Sequence, residues 1–208
     1  MWKDDKGLAL LLPGTSSPFR LPINRFFDRV AKRSELVRAC GIKGEESALS
    51  ILEPFAGFAI DSLTMAAAGG QVRAIEWHPL IYHLAQDAIS RSNIQVALEL
   101  GDGVNALLDV GTKYDVVYLD PMFESRGKSA LPSLGAQVLR SLNQDFSVQS
   151  GSPTKAMVGI EEYLVAALDL APRVVLKTAL KQRVYGKPNH SLRGRTVKFD
   201  VYVGSAGV

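Results

Sequence analysis

The chain has 208 residues, which fits one domain or one domain with a small appendage. It is 47% hydrophobic and 22% charged, the balance of a soluble globular protein, and no apolar stretch reaches the roughly 18 residues that a membrane helix needs. A net charge of +3 is mild, and the single Cys40 excludes an internal disulfide and a zinc cluster, which suits a cytoplasmic protein.

The charged start, Met1 to Lys6, leads into a short apolar run at Gly7 to Pro13 that suits an edge strand better than a signal peptide. Residues 1–21 therefore read as an irregular lead-in with one strand around Leu8 to Leu12. Pro22 to Cys40 reads as a helix, with Pro22 in the first turn and Ile23, Phe26, Phe27, Val30, Leu36 and Val37 at helical spacing, ended by Gly41 and Gly44. From there strands and helices alternate. Strands are expected over 48–55, 71–76, 94–100, 116–120, 173–177 and 197–203. Helices are expected over 60–68, 79–90, 104–108, 132–142 and 158–170, with a loop at 150–153. That alternation implies an α/β fold with a doubly wound, mainly parallel Rossmann-like sheet. The β-rich end, with no long helix between Lys177 and Val197, adds an antiparallel C-terminal edge. The expected division is an N-terminal extension over 1–44 and a catalytic domain over 45–208.

The most telling stretch is Tyr114 to Phe123. Val116 to Leu119 form a buried-strand run, and Asp120, Pro121 and Phe123 leave its carboxyl end, where open α/β sheets bind ligands. An acid, a proline and an aromatic at that point look like the loop with which amino-group methyltransferases hold a planar nitrogen. Upstream, Ala56, Gly57 and Ala59 lie in a strand–helix turn that lets a ligand approach the backbone and the amides of the next helix. A Gly-x-Gly-x-x-Gly fingerprint is missing, which weighs against a pyrophosphate cofactor and a nicotinamide oxidoreductase. Glu76 ends the second strand of the alternating part about twenty residues after Gly57, the usual place of an acid that accepts from ribose hydroxyls. Trp77 either covers an adenine ring or packs on the sheet edge. Asp102 and Gly103 follow the third strand, as an acceptor for an adenine amino group or as ordinary turn residues. Acids at three adjacent strand ends beside a glycine turn match the S-adenosylmethionine site of class I methyltransferases. His78, His83 and His190 are not at metal-ligand spacing, so no metal is expected.

Basic residues crowd both ends. Arg20, Arg25, Arg29, Lys32, Arg33 and Arg38 lie toward the N-terminus; Lys177, Lys181, Arg183, Lys187, Arg193, Arg195 and Lys198 lie toward the C-terminus. This distribution suggests phosphate-backbone contact, with a solvated helix face or a mobile loop as the alternative.

Several segments recur in an order that resembles one family. They are Gly41-Ile42-Lys43-Gly44, the Ala56-Gly57…Asp61 turn, Glu76-x-x-Pro79, Val116 to Phe123, Lys128-Ser129-Ala130-Leu131, Arg173 to Lys177 and Phe199 to Tyr202. Together they are similar to the RsmJ family, bacterial methyltransferases that modify the exocyclic N2 of a guanine in 16S ribosomal RNA. The resemblance spans roughly residues 18 to 204. It implies donor contacts at Ile60-Asp61, Glu76-Trp77, Asp102-Gly103 and Asp120. Asp120, Pro121 and Phe123 are the expected base contacts, and Lys128 and Lys177 are candidates for RNA phosphates, with a solvated loop lysine as the alternative for Lys128. The resemblance also implies the small ribosomal subunit or its RNA as partner. The chain departs from the family pattern where Ile60 and Trp77 replace arginines, Asp102-Gly103 replaces a frequent Ser-Ser, and Glu124 replaces a proline. Alternative readings are a methyltransferase for an adenine N6, a protein amide or a small molecule, and an idle RNA-binding or assembly protein of the same fold.

Overall fold

The computed structural model describes residues 1–11, 16–21, 34–44, 46, 48–121, 135, 137–139, 141–143 and 159–204. A hairpin opens the chain: β1 (Trp2–Asp4) pairs antiparallel with β2 (Gly7–Ala9). The sequence reading found only the second of these strands, because the exposed Trp-Lys-Asp triplet has no apolar signal. Arg20 ties the lead-in to the hairpin by hydrogen bonding Asp4 and the Gly7 carbonyl. Helix α1 covers Glu35–Cys40, and Gly41 closes it in the left-handed conformation at φ 75°. The expected helix over 22–40 is not continuous. Ser34, at φ −55° and ψ 155°, is the extended residue before α1, and residues 22–33 lie outside the described set.

The sheet then builds in alternation. Strand β3 (Ser50–Glu53) leads to α2 (Ile60–Ala67), β4 (Gln71–Glu76) to α3 (Pro79–Ser92), and β5 (Ala97–Leu100) to α4 (Gly103–Leu108). Strand β6 (Val116–Leu119) follows, then α5 (Ile160–Leu170), β7 (Arg173–Ala179), β8 (His190–Arg193) and β9 (Val197–Val203). The strand order is β5-β4-β3-β6-β7-β9-β8. Strands β3 to β7 run parallel, and β9 and β8 pair antiparallel at one edge. The chain builds outward from β3 in one direction and from β6 in the other, so the topological switch point lies between them. β8 escaped the sequence reading because His-Ser-Leu-Arg is polar, short and on the edge, where pairing rather than burial holds it.

Helix starts follow local chemistry. His78 caps α3 by accepting from the Leu80 amide at 3.1 Å, with Pro79 in the first turn, and Asn93 closes the helix left-handed at φ 58°. Asp102 caps α4 by accepting from the Val104 amide at 2.9 Å.

Two cores flank the sheet. One joins α1, α2 and α3 to the face that carries Ile51, Val116, Tyr118, Val175 and Phe199. Cys40 is fully buried there, its thiol 3.6 Å from the Met65 sulfur. The other joins α4 and α5 to Leu52, Val117, Leu119, Val174 and Leu176. A third cluster packs Leu10, Phe19 and Leu21 of the lead-in against Phe58, Ile81, Leu84 and Val138. Among the described residues no helix is long and apolar enough to cross a membrane.

Candidate active site

Strand alternation decides which side chains meet at the switch point. Residues two apart share a face. Glu53 shares the face of Ile51, Tyr118 and Asp120 that of Val116, and Lys177 that of Val175. The register aligns these strands side by side, so the polar residues at their carboxyl ends converge. Asp61 reaches the same point from the first turn of α2.

The result is a connected network. The Lys177 ammonium lies 2.5 Å from Asp61 Oδ2 and 2.7 Å from Asp120 Oδ2. The Tyr118 hydroxyl donates to Asp61 Oδ2 at 2.8 Å, and Ser62 Oγ donates to Glu53 Oε2. Burial pushes the Glu53 carboxyl well above the usual range, and neighbouring Asp61 adds to the shift. Burial likewise raises the Tyr118 phenol, helped by Asp61. Burial opposes the charge on Lys177, but Asp120 and Asp61 outweigh it and hold the ammonium strongly protonated. Asp120 is the member nearest solvent, with 33% of its side chain exposed against 10% for Asp61.

Beside this network lies the turn after β3. Gly57 and Ala59 are both left-handed, each at φ 55°, and Ala59 is fully buried. A non-glycine residue held there costs of order 1 kcal/mol, and such strain gathers at functional loops. Glu76, at the end of β4, is 4% exposed. Burial pushes its carboxyl up to about 7, against the opposing effect of hydrogen bonds from the backbone amides of His78, Gly57 and Trp77. The His78 amide donates at 2.7 Å. Glu76 thus ties the glycine turn to the end of the neighbouring strand. At the third strand end the Gly103 α-carbon lies against Pro54; a Cβ there would sit 1.7 Å from the Pro54 carbonyl oxygen. Only glycine fits where the loops after β3 and β5 meet. Phe55 packs on Tyr163 with ring centroids 5.0 Å apart.

A matching family model, of SAM-dependent methyltransferases (SAM_MT), spans residues 23–204. A ribosomal RNA small subunit methyltransferase J of Thioalkalivibrio sulfidiphilus is 33% identical, over 96% of this chain and 82% of the relative. The chain belongs to that methyltransferase J family. A second methyltransferase J, from Legionella pneumophila strain Lens, is 34% identical over 83% of this chain and 69% of its own length. The solved structure of a SAM-dependent methyltransferase from Neisseria gonorrhoeae superposes with a TM-score of 0.65 at 22% identity, covering 96% of this chain and 80% of that one, which shows the shared fold.

As a methyltransferase J family member the chain uses S-adenosylmethionine, and the strand-end chemistry fits that group: an open turn of small residues, a buried carboxylate at the second strand end and a side-chain-free wall at Gly103. The expected residues fall at two adjoining places. Ala56, Gly57, Ile60, Glu76, Trp77, Asp102 and Gly103 line the ends of β3, β4 and β5, while Asp61, Asp120 and Pro121 lie at the junction of β3 and β6. Asp102 serves as a helix cap, the turn chemistry its Asp-Gly sequence also allowed. Phe123 and Lys128 lie outside the described residues.

Two basic residues sit elsewhere than the sequence reading put them. Lys177, expected on an RNA phosphate, is held between two carboxylates. Lys198, counted with the basic end, is 5% exposed and pairs with the buried Asp200 at 3.0 Å. Lys181, Arg183, Arg193 and Arg195 are exposed. Arg183 bonds Glu161 at 2.7 Å and stacks over the Tyr185 ring at 4.7 Å. Tyr185 is buried; its hydroxyl accepts from Gln182 at 2.8 Å and its carbonyl accepts from the Tyr202 hydroxyl. Glu53, Ser62 and Tyr118 were missed as site residues. For Glu53 and Tyr118 the signal was parity: a charged or hydroxylated residue on the same face as Ile51 or Val116 of a buried strand must find a polar partner; Ser62, in the first turn of α2, meets Glu53 only through the fold.

Proposed function

We propose that this chain methylates the exocyclic N2 of a guanine in small-subunit ribosomal RNA. The relatives named above are ribosomal RNA small subunit methyltransferases, which supports the RNA class. The observation that carries the reading is Asp120, a partly exposed carboxylate at the switch point, followed at once by Pro121 and tethered by Lys177.

S-adenosylmethionine, when bound, supplies a methyl group on a sulfonium sulfur. The turn residues Ala56 and Gly57 and the start of α2 at Ile60 and Asp61 give it backbone room and amides, Glu76 accepts from ribose hydroxyls, Trp77 flanks the base, and Asp102 and Gly103 border the adenine edge. On the acceptor side, the guanine amine lone pair is delocalised into its ring and is a poor nucleophile. Hydrogen bonds from N2–H to Asp120 and to the Pro121 carbonyl favour a pyramidal nitrogen and offset the positive charge that grows on it. The lone pair forms the new carbon–nitrogen bond while the methyl–sulfur bond breaks and sulfur keeps its electrons. The methylated amine then sheds a proton to solvent, so no strong base is needed. Phe123 stacks on the base, worth about 1–3 kcal/mol by analogy with single-strand binders. Lys128, Lys181, Arg183, Arg193 and Arg195 meet the RNA backbone.

The test is methyl transfer to small ribosomal subunits lacking the modification, followed by mass mapping of the labelled nucleoside. N2-methylguanosine is expected. Label on adenine, on protein, or nowhere overturns the reading.

A further inference from the structure

We infer that Lys177 is a positioning residue, whose ammonium bridges Asp61 and Asp120 and so fixes the Asp120 carboxylate, in ionised form, at the rim of the switch point. This rests on the reading of Asp120 as the amine acceptor. The tether comes from a different strand, β7.

Asp120 lies just beyond β6 and is one-third exposed, at the rim of the site. The Lys177 ammonium takes one of its oxygens at 2.7 Å. Lys177 itself has little freedom. It is 20% exposed, on a strand paired on both sides, and it is anchored at its tip by Asp61 at 2.5 Å. Asp61 in turn receives the Tyr118 hydroxyl at 2.8 Å. Acceptor position is therefore tied to two strands and a helix. That matters because displacement of a reacting group by about 1 Å is enough to cost on the order of a hundredfold in rate.

Charge supplies the second half. The groups facing Lys177 are Glu53 from β3, Asp61 from α2, Tyr118 from β6 and Asp120 beyond it. Burial favours the neutral forms of Glu53 and Tyr118. One ammonium then stands between two carboxylates. Without it, Asp61 and Asp120 would repel each other and one would take a proton. A protonated Asp120 is a weaker acceptor for an amine hydrogen. Lysine here both aims the carboxylate and keeps it charged.

The experiment uses the full chain with small ribosomal subunits and compares Lys177→Met, Lys177→Arg and Asp120→Asn with wild type across a pH series. For Lys177→Met, kcat falls at least tenfold, the KM for S-adenosylmethionine changes less than about threefold, and the acid limb of the kcat profile moves to higher pH. Lys177→Arg, which keeps the cation, recovers the position of that limb. If Lys177→Met does not fold, Lys177→Met/Asp61→Asn removes cation and anion together, and it remains at least tenfold slow because Asp120 has still lost its tether. Wild-type kcat in either variant, or a loss of kcat with the acid limb unmoved and no recovery by arginine, overturns the inference. Asp120→Asn separates the two claims. If it is inactive while Lys177→Met is unaffected, only the inference fails; if it is fully active, the reading of Asp120 fails as well.

Discussion

Glu76→Gln tests the donor half of the site through a quantity the structure supplies. The wild-type carboxyl is pushed from an ordinary 4.5 to about 7 by burial. At pH 8 roughly 90% of molecules then carry the carboxylate, and at pH 6 roughly 10%. A neutral carboxyl accepts less well from ribose hydroxyls, so donor binding favours the ionised form and releases a proton. Donor affinity should rise as pH rises, by up to about tenfold between pH 6 and 8. In Glu76→Gln the side chain keeps its shape and cannot titrate, so its affinity is lower at pH 8 and lacks this component. Calorimetric titration of S-adenosylmethionine at several pH values gives both curves, and the difference between them removes the donor's own ionisations. The same carboxyl predicts a stability trend of its own. The folded protein holds the proton more tightly than the unfolded chain, so the stabilising effect is full below pH 4.5 and is lost as pH rises through about 7. The span corresponds to roughly 3 kcal/mol at most and is absent in the variant. Identical donor affinity and identical pH dependence in wild type and variant would refute the assignment of Glu76 to the donor.

Asp120→Ala should lower methyl transfer by more than tenfold, a loss above about 1.4 kcal/mol, in a protein that still folds; retention of a tenth of the rate speaks against Asp120 as amine acceptor. Gly103→Ala puts a methyl 1.7 Å from the Pro54 oxygen and should cost about 3 kcal/mol in urea unfolding; a change within about 0.5 kcal/mol means the two loops part easily. The quadruple Lys181, Arg183, Arg193 and Arg195 to Ala variant should bind RNA more weakly and flatten the salt dependence, by as much as about 3 in logarithmic slope, with donor affinity intact. An unchanged slope removes that segment from the phosphate contacts.

Much of the sheet was legible because its buried strands are apolar and two of its helices have side-chain caps. Gln71–Glu76 and Val197–Val203 were read with their observed bounds, and His78-Pro79 and Asp102-Gly103 mark helix starts by their side-chain chemistry. The polar edge strand His190–Arg193 was not legible, since only its partner β9 defines it. The same limit applies at the site. Asp120 and Glu76 stand out in sequence because strand ends are recognisable. The partnership of Lys177 with Asp61 joins residues 116 positions apart, and it appears only when β7 lies beside β6. A lysine in a basic tail looks solvated until the register shows its neighbours. Lys198 repeats the lesson, since Asp200, two residues along the same strand, holds it inside.

The buried Tyr185 has a thermodynamic consequence for the segment that carries it. A basic arm made of glycine, proline and charged residues ordinarily freezes only when a ligand arrives, and the lost chain entropy is subtracted from the affinity. Here the Tyr202 hydroxyl, the Gln182 amide and the Arg183 guanidinium already hold the middle of the arm against the sheet. An RNA that docks there, as proposed above, would meet an arm ordered beforehand. Association through this surface should therefore carry a small heat-capacity change, and loosening the arm by Tyr185→Ala should make the same encounter costlier in entropy while leaving every positive charge in place.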